Sequence, residues 1–151
     1  MTLSIGRMEI SMNKDIGLQG NERIEAAIAA LQKEPTEKLL AHTLTVLRGR
    51  IQENGQVILA VEPSPDGNKL GIQTVTAPDG KPFWAAFTSF EEELKGSNGV
   101  MSTFLTDLGK LLETAQQTKE IEGVILNPWN RTLMLDKALI QILLSAVQTN
   151  S

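Results

Sequence analysis

The 151-residue chain has no cysteine and a single histidine, and aromatic residues make up only 4% of it. Without cysteine there is no disulfide framework, no thiolate nucleophile, no cysteine-ligated zinc and no iron–sulfur cluster. Charge of one sign is not in large excess. Fourteen Lys+Arg stand against eighteen Asp+Glu, a formal net charge of -4. A protein that neutralises nucleic-acid phosphates needs a basic patch, and here the basic residues are scattered with no interleaved aromatics, so no nucleic-acid partner is expected. No run approaches the roughly 18 consecutive apolar residues of a spanning helix, and residues 1–20 lack the apolar core of a secretory signal. These absences predict a cytoplasmic protein with no membrane association. Neither Gly-x-Gly-x-x-Gly, Gly-x-x-x-x-Gly-Lys-Ser/Thr nor Gly-x-Ser-x-Gly occurs, so no nucleotide loop or nucleophile elbow is expected.

What is present is an ordinary globular composition, 41% hydrophobic and 21% charged. A chain of this length buries about two thirds of its unfolded surface in one domain. Residues 1–20 have poor periodicity and read as a weakly ordered leader, with translation starting at Met1, Met8 or Met12. Residues 21–151 read as the single domain.

Within it, Asn21 is the expected N-cap of a first helix with Ile24, Ala27, Ile28 and Leu31 on one stripe. Pro35 ends that helix and Thr36 caps the next, where Leu39, Leu40, Thr43, Leu44 and Leu47 share a face and Gly49 marks the C-terminal end. The period then changes. Residues 56–62 form a short apolar run suited to an inner strand, 63–68 are a turn, and 70–76 are expected to pair back as a hairpin. Pro78-Asp79-Gly80 is a further turn, followed by a third strand over 83–88. Ser89 with Glu92 has capping-box spacing and opens a short helix over 90–95. Residues 103–118 are expected to form a long helix, with Phe104, Leu105, Leu108, Leu111, Leu112 and Ala115 on one side. Gly123-Val124-Ile125-Leu126 is a buried strand stopped by Asn127-Pro128, residues 132–135 are a short strand, and Asp136 caps a final helix. The blocks predict an α+β fold, a mixed, mostly antiparallel sheet of about five strands with helices packed on it, in the order α-α-β-β-β-α-α-β-β-α.

Few residues carry chemistry. His42 lies about 130° round its helix from the leucine stripe and has no Asp or Glu at i±3 or i±4, so it is expected in solvent and not as a general base. Glu91-Glu92-Glu93 point about 100° apart, which suits first-turn charges better than metal ligands. No metal, cofactor or catalytic set is therefore expected. Two strand ends are less ordinary. Phe87-Thr88-Ser89 turns from a strand straight into a capped helix, and Asn127-Pro128-Trp129 ends another strand with an amphipathic ring of the kind that anchors partners. These six residues are the candidate binding site, provided the two ends are neighbours.

The order of a helix pair, a β-meander, Ala86-Phe87-Thr88-Ser89, a long helix, and then Gly123-Val124-Ile125-Leu126-Asn127-Pro128 resembles the SseB family N-terminal domain over residues 21–147. That bacterial family takes its name from an enhanced-serine-sensitivity phenotype. The resemblance implies an α+β domain and supplies no catalytic residues to carry over. The expected role is thus a non-enzymatic protein-interaction or regulatory module. Its partner would be an unidentified protein, with a homodimer left open. The alternative is a small-molecule binder for an amino-acid-like metabolite, held by the hydroxyl and amide groups of Thr88, Ser89 and Asn127.

Overall fold

A computed structural model of the chain describes residues 16–63, 69–96 and 102–150. Among the described residues, five α-helices and one seven-stranded mixed sheet make up an α+β fold. The helices are α1 (Asn21–Lys33), α2 (Glu37–Gln52), α3 (Phe90–Leu94), α4 (Leu108–Gln117) and α5 (Lys137–Asn150). The strands are β1 (Gln56–Pro63), β2 (Leu70–Ile72), β3 (Thr74–Thr76), β4 (Pro82–Phe87), β5 (Ser102–Asp107), β6 (Gly123–Leu126) and β7 (Leu133–Asp136).

Strand periodicity divides the core. Successive side chains alternate faces, so Val57 and Leu59 of β1, Ala86 of β4 and Val124 and Leu126 of β6 face a cluster with Ile24, Ile28, Leu47, Leu112, Ile140 and Leu143 from four helices. Ile58, Ala60, Phe83, Ala85, Phe87 and Ile125 build a smaller cluster on the other face, joined by Leu18. Each fully buried Leu, Ile or Phe contributes about 1.5–3 kcal/mol of transfer free energy, so the helical face dominates stability.

Three caps form where the sequence signals them. Thr36 Oγ1 accepts from the Leu39 N–H at 3.1 Å, Ser89 Oγ from the Glu92 N–H at 3.2 Å, and Asp136 Oδ1 from the Leu139 N–H at 2.9 Å.

Other boundaries differ from the sequence expectation. Gly20, left-handed at φ 103°, is the N-cap of α1, and Asn21 is instead a buried first-turn residue. Its residue neighbours 16–20, assigned to the leader, are part of the fold: Ile16–Leu18 form a 3-10 turn and Leu18 is buried. Residues 1–15 lie outside the described residues, as do 64–68 of the first turn. Helix α2 continues through Gly49 to Gln52, because Asn54 takes the left-handed conformation (φ 60°) and the Gly55 N–H returns to the Arg50 carbonyl at 2.8 Å. Residues 70–76 split at Gln73: Leu70–Ile72 pair with β1, while Thr74–Thr76 pair with β4.

The largest difference falls on residues 103–107, expected in a helix but forming strand β5. All six residues of β5 pair with β1, from Gln56↔Asp107 to Val61↔Ser102. Thr103, Phe104 and Thr106 fit a pleated surface, and long-range pairing overrides a helical spacing that becomes true only from Leu108. This strand, together with the split at Gln73, raises the count from about five strands to seven.

One feature of the topology positions the candidate site. Strands β4 and β6 run parallel, with Trp84↔Val124, Ala85↔Ile125 and Ala86↔Leu126 in register, while every other described pair is antiparallel. Their carboxyl ends therefore leave the sheet side by side, the place where open parallel sheets present their ligands and contacts.

Candidate functional site

The β6 strand stops at Asn127 because that residue adopts a left-handed conformation (φ 51°) and Pro128, lacking an N–H, does not extend the ladder. The Asn127 N–H still reaches the Ala86 carbonyl at 2.8 Å. Its side chain then crosses to the end of β4. Asn127 Oδ1 accepts from the Thr88 N–H at 2.9 Å, and Asn127 Nδ2 donates to Thr88 Oγ1 at 3.0 Å. The Thr88 hydroxyl in turn donates to Glu25 Oε2 of α1 at 2.5 Å. Asn127 and Thr88 are both buried.

The network continues on the helix side. Asn21 Nδ2 donates to the carbonyls of Thr88 at 3.0 Å and Gln56 at 2.7 Å, and its Oδ1 accepts from Arg50 Nε at 2.8 Å. Arg50, itself buried, also donates to the Gly17 carbonyl at 2.8 Å and to Glu53 at 3.0 Å. The Arg50 and Arg23 guanidinium groups, which both hydrogen-bond Glu53, hold its carboxyl below the ordinary glutamate range. Buried polar groups are costly unless paired, and here they pair with one another.

Helix α3 is tied down from the same corner. The Glu92 carboxylate is not turned back toward Ser89 as a full capping box requires. It is buried, and its Oε2 accepts from Asn130 Nδ2 at 2.9 Å and Arg131 at 3.3 Å, while Oε1 has no partner. Glu92 is thus not a solvated first-turn charge, in contrast to exposed Glu91. Arg131 also reaches Glu25 at 3.5 Å, which places one cation between two carboxylates.

The six sequence candidates therefore separate. The structure brings the two strand ends together, with Asn127 bonded to Thr88. Phe87 is fully buried in the smaller core cluster, and Thr88 and Asn127 spend their hydrogen-bonding groups on each other and on Glu25. Ser89 and Pro128 are half-buried, and Ser89 serves as the α3 cap. Trp129 alone stands out from the knot, 39% exposed. Its indole lies against Gly96, where an added Cβ would overlap the ring nitrogen, so only glycine permits this seat. On the preceding α3, Phe90 and Leu94 are also exposed, Leu94 by 77%.

A cleft of about 360 Å³ opens beside this corner, bounded by Leu18, Glu22, Glu25, Ser89, Phe90 and Glu91 among others. Its walls are the first turns of α1 and α3. Sequence reasoning did not single out Glu25, Asn130 or Arg131. Their roles arise from contacts across more than thirty positions of chain, and no local period signals them. His42 is exposed on α2 beside the hollow between α1 and α2, away from the corner. Among the described residues no group of three or more His, Asp or Glu is arranged to hold a metal ion, and no helix is long and apolar enough to cross a membrane.

Comparison with known proteins agrees with the architecture. The model of the SseB protein N-terminal domain matches residues 24–141. Curated proteins and solved structures give no significant match. With the family model covering most of its length, the chain belongs to the SseB family through that N-terminal domain.

Proposed function

We propose that this domain is a non-enzymatic, cytoplasmic interaction module whose partner protein docks on Trp129, Phe90 and Leu94 at the carboxyl ends of β4 and β6. The observation that carries this reading is the exposure of these three large apolar side chains on a backbone fixed by the Thr88–Asn127 network. Aromatic anchors on a rigid support lose little conformational entropy on binding, and such residues dominate interface energetics. The test is capture of a stoichiometric protein from native lysate by the intact chain, repeated with Trp129→Ala and Leu94→Ser. Loss of the captured protein by both variants, with folding kept, supports the reading. Undiminished capture by both overturns it.

The cleft favours a second reading, a site for a small amino-acid-like metabolite. Its volume suits a small ligand, and it lies just past the carboxyl end of β4, one strand of the parallel pair. Against it, of the three groups expected to hold that ligand, Thr88 and Asn127 are already engaged by each other and by Glu25, and Ser89 caps α3. A ligand that binds only the folded state raises the melting temperature by mass action. A flat thermal-shift response across millimolar amino acids removes this alternative.

A further inference from the structure

The cleft at the strand-end corner differs from the other hollows in its charge. Glu22 and Glu25 of α1 and Glu91 of α3 line it, and among the described residues no lysine or arginine does. The hollow between α1 and α2 is bounded by Arg23 and His42 with no acid, and the one at Phe104 carries Lys110 as its one charged group. A fourth, at Met134, mixes Lys81 and Lys137 with three acids. The carboxylates of the corner cleft are not neutralised in place. Glu22 accepts only from the backbone N–H of Gly20, and Glu91 has no partner among the described residues. The unpaired N–H groups that open α1 offset about half a unit charge, less than one carboxylate carries. Glu25 meets a cation, Arg131, but shares it with Glu92 through one nitrogen, at 3.5 and 3.3 Å. Arg23 and Arg50 are engaged by Glu53. One contact beyond Glu25, Glu92 is only 1% exposed and its Oε1 has no partner, with Lys95 standing 3.9 Å from Oε2. A buried carboxylate oxygen is costly to leave unpaired. The lining of the cleft and this orphan oxygen are separate signs of one unmet demand for positive charge.

We propose, building on the interaction role above, that the docking partner inserts a basic side chain, lysine or arginine, into this cleft while its apolar residues cover Phe90, Leu94 and Trp129. The fit is electrostatic and apolar at once. An ammonium or guanidinium head meets Glu22 and Glu91, exposed on the two walls. Its aliphatic stem suits Leu18 and Phe90. The Phe90 ring, 37% exposed, belongs to both the cleft and the apolar rim, and ring faces attract cations. A partner segment that carries a cation beside its apolar anchors therefore occupies both. A free amino acid fits less well, because its own carboxylate would enter beside three others. Opposite charges at such a site speed association and select among partners, and salt weakens them.

The probe is a blocked peptide, Leu-Arg-Leu-Arg-Leu, beside versions with citrulline or glutamate in place of arginine, titrated against the intact chain by fluorescence anisotropy. The arginine peptide is expected to bind, and the other two to bind at least about tenfold more weakly. Glu22→Gln together with Glu91→Gln should weaken the arginine peptide about fivefold to tenfold. Glu37→Gln together with Glu113→Gln, the same charge change at exposed positions outside the cleft, should leave it unchanged. No binding of the arginine peptide, equal binding of the citrulline peptide, or equal loss from both pairs of substitutions overturns the proposal. The protein captured from lysate separates this failure from that of the interaction role. Capture lost on Leu94→Ser but unmoved by the Glu22→Gln, Glu91→Gln pair, at about 0.05 M salt where screening is weak, removes the basic side chain and leaves the docking surface standing. Capture unmoved by Leu94→Ser and Trp129→Ala removes the docking surface itself.

Discussion

The Thr88–Asn127 knot and the Trp129–Leu94 rim are only a few residues apart in the chain, yet they follow opposite rules. At the centre of the knot Thr88 and Asn127 are polar, buried and paired, and Asn127 spends both ends of its amide on one threonine. On the rim the side chains are large, apolar and exposed. A saturated buried network has nothing left to offer a partner, and exposed rings contribute little to the core. The difference teaches that the strand ends hold position while the residues just past them are free to make contact.

The strongest way to break this comparison is to open the knot. Asn127→Ala leaves the buried Thr88 N–H without its acceptor and Thr88 Oγ1 without a donor, and it puts alanine at φ 51°. Each unsatisfied buried group costs about 1–3 kcal/mol, so a total loss of about 3 kcal/mol or more is expected in denaturant unfolding. Ile125→Ala, on the buried strand just before it, is the matching core deletion and should lose about 2–5 kcal/mol. If Asn127→Ala unfolds like wild type, the knot is not structural and its polar groups are available for binding after all.

How much of this was legible depends on how local each cause is. Thr36, Ser89 and Asp136 were legible as caps because a cap needs only its own first turn. The apolar runs of β1 and β6 were legible for the same reason, since burial on both faces leaves a continuous hydrophobic signature. Strand β5 was not, because Phe104, Leu105 and Leu108 fit a helical spacing and only the bare edge of β1 decides otherwise. Asn21 looked like a cap and is a long-range tether; Glu92 looked like a surface charge and is a buried ligand for Asn130 and Arg131. Both misreadings share a physical reason. A polar side chain carries the same local pattern whether it meets water or a partner distant in sequence.

A smaller effect separates the rim from the core. Trp129→Ala removes a ring already 39% exposed, so its stability loss should be about 1–2 kcal/mol, well below a full Trp deletion from a core. Its loss in partner affinity should be about 2 kcal/mol or more if the ring is an anchor. Thermal melts beside binding titrations measure both. Gly96→Ala sharpens the result, because the new methyl group displaces the indole from its seat without deleting it. Equal destabilisation by Trp129→Ala and Ile125→Ala would make the rim part of the core.

Ser89→Ala removes the hydroxyl that accepts from the Glu92 N–H, and such caps are worth about 0.5–2 kcal/mol. The expected loss lies at the lower end, because Asn130 and Arg131 still hold α3 through the Glu92 carboxylate. A loss well above that range, measured by denaturant unfolding, would show that the cap and the buried carboxylate act as one unit.

The smallest effect expected is at the far end of the knot and depends on pH. Glu53 lies at the surface, with its carboxyl lowered by hydrogen bonds first from Arg50 and then from Arg23. A carboxyl lowered on folding stabilises the protein above its unfolded pKa, and that stability is lost as pH falls through the folded value. Glu53→Gln should therefore lower the melting temperature slightly at neutral pH and make no difference in acid, so that its acid decline is shallower than that of wild type. The effect should stay small because Arg50 keeps its bonds to Asn21 and Gly17 without Glu53 and because solvent screens exposed pairs. Melting curves from neutral pH down past the ordinary glutamate range supply the comparison. Parallel curves would mean that Glu53 gains nothing from the two guanidinium groups. A collapse of the variant at neutral pH would mean that the surface pair holds Arg50 in place, which would extend the knot from its buried asparagines out to solvent.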